Sequence, residues 1–244
     1  MNIEEYQRNY DLEKNYWFFV GMHKMIMNLV GSSPLKKHVD IGCGTGGLLE
    51  TLSTQTEELY GFDISDEALK FCKQRGYPEH LLIKGDGVAL PFEDNSFDSV
   101  TAIGVIEHIE DDQKFIEELY RILKPGGELV MVTSSFQLLW SSHDVANHHI
   151  RRYTLTGLSK QMRMSGFQQL KLSHFNFFLF PAIAFVLIMD RFFTKKGAEE
   201  RILPIPNKLI NGILTSILSV EALLMKWVRL PFGISLIGKF KKPN

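Results

Sequence analysis

Between positions 37 and 133, short runs of β-branched, aliphatic and aromatic residues alternate with stretches whose apolar positions recur at helical spacing. That is the pattern of βαβ units feeding a parallel sheet. It predicts strands at 37–41, 58–62, 81–84, 97–103 and 128–133. Helices fill the gaps. One at 48–54 follows a glycine cluster, and one at 66–75 opens behind Ser65 and closes at Gly76. A third at 112–123 stops at Lys124-Pro125-Gly126-Gly127, in keeping with side-chain caps at helix starts and Gly or Pro at their ends. Residues 4–30 also have helical character, with a Trp17-Phe18-Phe19 cluster set to lean over the first strand.

Beyond Gln168 the pattern changes. Residues 169–173 and 234–240 alternate like strands, and they are predicted to be hairpin partners held apart by an insertion. The insertion contains a thirteen-residue apolar stretch, 177–189. As a helix it would span only about 20 Å, short of the ~30 Å core of a bilayer. In a second stretch, 208–230, Asn211, Thr215, Ser219, Lys226 and Arg229 form one narrow polar stripe beside a very broad apolar face. That face must be covered by the protein's own core, a dimer partner or a membrane headgroup layer. Glu221 falls on the apolar side, where a lone carboxylate is costly, so an ion pair with a buried arginine is expected.

The length, 244 residues, favours one domain: a helical cap at 1–36, a cofactor-binding core at 37–174, an apolar helical insertion at 175–233, and a last strand with a basic tail at 234–244. Hydrophobic residues make up 45% of the chain and charged ones 23%, which excludes collagen-like and disordered classes. The net charge of -1 argues against a general nucleic-acid binder, but it hides a polarity. Residues 1–150 carry 12 Lys and Arg against 24 Asp and Glu, whereas residues 151–244 carry 15 against 4. An anionic partner for the second half, such as a membrane surface, is therefore expected. Cys43 and Cys72 offer no disulfide framework, and the first twelve residues lack an apolar leader core. The expected location is the cytoplasm, peripheral on the inner face of the membrane.

The chemistry concentrates in Asp40-Ile41-Gly42-Cys43-Gly44-Thr45-Gly46-Gly47, where a strand empties into glycines ahead of a helix. Glycine allows positive φ and lets a ligand lie against backbone N–H groups. Gly42, Gly44 and Gly47 satisfy the dinucleotide pattern, and Asp63 fits a ribose-hydroxyl acceptor, so NAD is one reading. A further acid, Asp86 after the third strand, is placed to accept from an exocyclic amine, and Asp40 to face an ammonium. Ammonium, ribose and adenine together describe S-adenosylmethionine, whose sulfonium suits an acidic bed. The plainer reading makes Asp40 and Asp86 turn caps.

These residues resemble a known family. The run 39–46, Gly61-Phe62-Asp63-Ile64-Ser65, Gly85-Asp86-Gly87, Leu90-Pro91-Phe92, Ile106-Glu107-His108-Ile109 and Leu123-Lys124-Pro125-Gly126-Gly127 are similar, in order and spacing, to class I S-adenosylmethionine-dependent methyltransferases of the small ubiquinone- and menaquinone-biosynthesis type. The resemblance implies an α/β, Rossmann-like, seven-stranded and mostly parallel sheet with an antiparallel seventh strand, helices on both faces, and the insertion between strands six and seven. It implies that Asp40, Gly42, Gly44 and Gly46 hold the methionine part, Asp63 and Ile64 the ribose, and Asp86 and Gly87 the adenine, with Gly104 also at the cofactor. Some quinone-pathway relatives bind a divalent ion through a Glu that here is Gly104, so no metal is expected.

Open α/β sheets react beyond the carboxyl ends of their strands, which points to His108 and to the dense polar stretch from Trp140 to Thr154. That stretch resembles the Asp-x4-His-x-Arg-Arg-Tyr segment of methyltransferases from lipid and secondary-metabolite pathways. By that resemblance His149, Asp144 and His108 are candidate catalytic groups, and Arg151, Arg152, Tyr153 and Trp17 candidate acceptor contacts. A helix-start network or a zinc site would use the same residues. The function expected is methyl transfer to an apolar, lipid-like or amphiphilic small molecule, with an oligomer through the apolar insertion as a further expectation. An NAD-linked oxidoreductase and a non-catalytic cofactor-binding scaffold are the alternatives.

Overall fold

A computed structural model describes residues 3–31, 33–193 and 206–244. Seven strands form one sheet: β1 Leu35–Ile41, β2 Thr56–Asp63, β3 Leu82–Lys84, β4 Phe97–Ile103, β5 Leu123–Ser134, β6 Gln168–Phe175 and β7 Ser235–Lys241. Their order is β3-β2-β1-β4-β5-β7-β6. The first five are parallel, while β7 runs antiparallel to both neighbours, with Met131 and Leu172 facing Gly238 from either side. The expected hairpin therefore forms, and it places β7 inside the sheet.

Nine helices are described: α1 Ile3–Leu12, α2 Trp17–Val30, α3 Gly47–Leu52, α4 Asp66–Gln74, α5 Asp112–Ile122, α6 Ser142–Ala146, α7 Leu155–Met164, α8 Phe180–Phe193 and α9 Lys208–Leu224. The local signals explain their starts. Ser65, Asp111, Thr154 and Asn207 each accept a backbone N–H of the first turn through the side chain, satisfying donors that a helix leaves unpaired. The Lys124-Pro125-Gly126-Gly127 segment, expected as the stop of the preceding helix and ahead of the strand, lies within β5. There a register shift opposite Phe97 and Ser99 absorbs the proline and glycines, as a bulge allows.

Each sheet face buries its own core. On one side Val39, Ile41, Phe62, Phe97 and Val100 meet Phe115, Ile116 and Leu119 of α5 and Leu158 and Met162 of α7. On the other, Leu59, Val130, Val132 and Ile237 meet α2, α3, α4 and α9 through Met25, Ile26, Leu49, Cys72, Leu218 and Ala222. At roughly 1.5–3 kcal/mol for each large apolar side chain buried, this three-layer packing fixes the strand ends where the site forms.

The insertion departs from expectation in two ways. First, part of the polar stripe of α9 faces inward: Asn211 accepts from the backbone N–H of Trp17 and donates to the carbonyl of Asn15, and Lys24 donates to Ser219. Gly21 allows this close approach, since a Cβ there would meet Leu218 at 2.5 Å. Leu218 and Ala222 pack inward beside it, and the rest of the broad apolar face points outward, with Leu209 at 74% and Trp227 at 80% exposure. Second, among the described residues Glu221 has no arginine partner. Its carboxylate accepts the successive backbone N–H groups of Asn176, Phe177 at 2.9 Å and Phe178 at 3.2 Å. Backbone donors can satisfy a buried carboxylate without a counter-ion, and burial still pushes this one above the usual range.

Candidate active site

A cavity of about 680 Å³ opens at the carboxyl ends of β1 to β5, where the crossover pattern of such sheets places ligands. Its floor is built by backbone. Gly42 and Cys43 donate to the carbonyl of Phe62 at 2.8 and 3.0 Å, folding the end of β1 toward β2. Gly42 has φ +74°, and a Cβ there would lie 2.3 Å from Val105. Gly44 has φ +54°, and no atom lies within 4 Å of where its Cβ would be. The cradle is open at that point, and only glycine takes this conformation without strain.

Around this loop stand the three predicted acids. Asp40 is 2% exposed; its Oδ1 accepts from Thr101 Oγ1 at 2.5 Å, and Thr101 in turn is bonded to His38. Burial, offset in part by Thr101 and reinforced by Asp63 and Glu13, pushes Asp40 up to about 7. Asp63 accepts from the backbone N–H of Gly44 at 3.0 Å and of Ser65 at 2.9 Å, and burial raises it too. Asp86 accepts from the N–H of Val88 at 3.1 Å, so it does close a local turn while lining the cavity. Ile64, 67% exposed, and Gly85, Gly87 and Gly104 complete this wall. Gly46 is placed differently: it packs under the loop against Cys72 and Arg75.

The opposite wall is built by side chains. Asp144 is fully buried at the start of α6. Arg152 grips its two oxygens with Nε at 2.7 Å and Nη2 at 2.8 Å, and the N–H of Ser141 adds a third donor at 2.9 Å. Burial alone would raise this carboxyl, but His149 and Arg152 hold it well below the usual range. His149 Nδ1 sits 2.9 Å from Asp144 Oδ1, so the ionised carboxylate fixes the imidazole with its proton on Nδ1 and leaves Nε2 as the acceptor. His108 meets the His149 ring edge-on at 4.8 Å between centroids, and burial lowers its basicity. Trp17, Phe18 and Phe19 of α2, with Ile183 and Leu187 of α8, supply the apolar part.

Several candidates land elsewhere. Arg151 pairs with Asp112 at 2.6 Å and donates to the carbonyl of Glu110, and Tyr153 is buried with its hydroxyl donating to Asp112 at 2.8 Å. Neither lines the cavity. Arg152 does line it, but its guanidinium is committed to Asp144 and the carbonyl of Ser135. Glu107, 3% exposed, accepts from Thr133 and Ser134 at the end of β5 rather than facing a ligand. Among the described residues no group of three His, Cys, Asp or Glu side chains is arranged to hold a metal.

One clamp has no sequence signal. Arg75 of α4 donates through Nε to the carbonyl of Thr45 at 2.6 Å and through Nη2 to Glu13 at 2.7 Å, while Thr45 Oγ1 donates to Glu13 at 2.6 Å. The glycine loop is thus tied to the segment joining α1 and α2. Residues 62 apart in sequence form this pair, and nothing in local spacing announces it.

The sheet order, with an antiparallel strand between the fifth and sixth, is that of the class I methyltransferase fold. Residues 39–131 match the family model described as "Methyltransferase domain". A Renibacterium salmoninarum protein named demethylmenaquinone methyltransferase is 32% identical over 129 residues, 53% of this chain and 54% of that one. The chain therefore spans about half the length of this curated relative. Among solved structures, a chain from the complex of the Haloferax volcanii Trm112 methyltransferase activator superposes with a TM-score of 0.65 at 19% identity, covering 99% of this chain and 95% of that one. A Haemonchus contortus phosphoethanolamine N-methyltransferase in complex with S-adenosyl-L-methionine superposes with a TM-score of 0.58 at 18% identity, covering 98% of this chain and 60% of that one.

Proposed function

We propose that this protein transfers a methyl group from S-adenosylmethionine to a small, apolar or amphiphilic acceptor of quinone-like character. The observation that carries the reading is the division of one cavity into an open glycine cradle ringed by acids and an apolar wall holding a carboxylate-fixed histidine. The cradle fits the cofactor: Gly44 leaves room against the backbone, and Asp40, Asp63 and Asp86 match its ammonium, ribose hydroxyls and adenine amine. When bound, that molecule supplies a methyl group on a positively charged sulfur. The names of the relatives, demethylmenaquinone methyltransferases, support the acceptor class.

In this reading the protein contributes alignment first. In-line displacement gains most from holding donor and acceptor in line, and the clamped loop on one side and the aromatic cluster of α2 on the other set that distance. His149 then accepts the proton of an acceptor hydroxyl at Nε2, and Asp144, held by Arg152, stabilises the resulting imidazolium. His108 packs beside it and, kept neutral by burial, adds no competing charge.

Titration calorimetry with S-adenosylmethionine and with reduced nicotinamide dinucleotide tests the cofactor half. Binding of the first alone is the expected result; binding of the second alone overturns the reading. Mass spectrometry of a quinol extract incubated with protein and cofactor tests the acceptor half, through the gain of one CH2 unit.

A further inference from the structure

The described part of α9 and the turn after it carry an unpartnered apolar face. Leu209, Ile210, Ile213, Val220, Leu223 and Trp227 are each between 47% and 80% exposed. This is a contiguous run at helical spacing, and large exposed apolar patches on a folded chain mark an interaction surface. The helix spans seventeen residues, about 25 Å at the usual rise, and no described helix is long and apolar enough to cross a membrane. It is therefore built to lie on a surface rather than to pass through one.

The charges around this face select the occupant. Lys208 opens α9, and Lys226 and Arg229 follow its end, all three exposed. The acids of the described insertion are turned inward: Glu221 is buried against backbone amides, and Asp190 accepts from the N–H of Ser142 at 2.9 Å. An apolar helix face rimmed by cations, with a Trp at its end, matches the boundary between anionic headgroups and acyl chains. A second copy of the chain would bring the same cations against one another.

From this arrangement we propose that the outward face of α9, with Trp227, docks on an anionic lipid surface. The α8 helix extends the same logic. Phe185 and Val186 are 64% and 47% exposed, whereas Ile183 and Leu187 of the same helix line the cavity. An acceptor dissolved in the bilayer would then meet a helix that is apolar on both sides. The docking itself stands independently of methyl transfer, so its failure leaves the enzymatic reading intact.

The full chain is floated with phosphatidylcholine vesicles that contain or lack phosphatidylglycerol, at low and high salt, while Trp227 emission is followed. The protein is expected to float with the anionic vesicles at low salt only, with a blue shift that Trp227→Phe abolishes. Ile213→Glu with Val220→Glu should reduce the partition coefficient more than tenfold. Lys226→Gln with Arg229→Gln should reduce it about 25-fold, at roughly fivefold for each cation removed near the surface. Met164→Glu, at a position 71% exposed on α7, should change nothing, and circular dichroism checks that each variant is folded. Equal binding to the uncharged vesicles, or no difference between the α9 variants and Met164→Glu, overturns the proposal. So does a concentration-dependent dimer in sedimentation velocity that Ile213→Glu with Val220→Glu abolishes while wild type ignores lipid. Should the α9 variants fail to fold, the wild-type Trp227 shift and its salt dependence decide alone.

Discussion

The two walls of the cavity are made by different means. The cofactor side is a product of backbone: glycines at positive φ, strand ends in register, and acids placed one residue from a turn. The wall proposed to face the acceptor is a product of side-chain pairing, in which Asp144, Arg152 and His149 hold one another across a span of eight residues. A wall of the first kind tolerates change in most side chains but not in a few glycines. A wall of the second kind depends on every partner being present, because a buried charge left alone is strongly destabilising.

The sharpest break between the two comes from Arg152→Met. It leaves Asp144 fully buried without its counter-ion, and the expected loss is about 3–5 kcal/mol of folding stability in urea melts. Adding Asp144→Asn should recover part of that loss, since the orphaned charge goes with it. A single variant as stable as wild type would mean that Asp144 is not ionised. Next in size is His149→Asn, which should reduce kcat about a hundredfold. Its affinity for S-adenosylmethionine should stay unchanged, because His149 belongs to the other wall. Equal losses in both readouts would merge the walls into one functional unit.

These contrasts also explain what was legible in the sequence. Strand positions, the parallel run of the first five strands and the three acids were all readable, because periodicity, turn chemistry and the glycine loop are local signals. The hairpin of β6 and β7 was readable for the same reason, even across the insertion. Pairings were not. Arg151, Arg152 and Tyr153 stand together in sequence, yet Arg152 turns to Asp144 while Arg151 and Tyr153 turn to Asp112. Their alternation in an extended segment sends neighbours to opposite sides, and the choice of partner is tertiary. The outward apolar face of α9 was equally hidden: a helical wheel shows two faces, but which one meets α2 depends on Gly21 admitting Leu218 and on Asn211 accepting from Trp17, 194 residues away.

A smaller effect is expected from Gly44→Ala, which probes the backbone wall directly. Positive φ costs a non-glycine residue roughly 1–2 kcal/mol, so cofactor affinity should fall about tenfold in calorimetry. The His149 side of the site should be untouched. Gly42→Ala makes the stronger version, since its Cβ would strike Val105, and it should reduce stability as well. If Gly44→Ala binds the cofactor as wild type does, the cradle is not where the ligand lies.

The finest test is the pH dependence contributed by Asp40. Burial lifts this carboxyl to about 7, above its ordinary value near 3.9. A raised acid favours the folded state while protonated, so its contribution to stability is complete below about pH 4 and is lost as pH rises toward 7. A cationic ligand beside it favours the carboxylate instead. Cofactor affinity should therefore rise severalfold between about pH 6 and pH 8, opposite in sign to the stability of the free protein. Asp40→Asn should flatten both slopes, because the amide neither titrates nor answers a positive charge. The backbone wall would then keep its shape and lose only its pH response, which calorimetry at three pH values can measure. A wild-type affinity that does not change across this range would place the ligand's positive charge away from Asp40 and leave that carboxyl as part of the Thr101 and His38 hydrogen-bond chain alone.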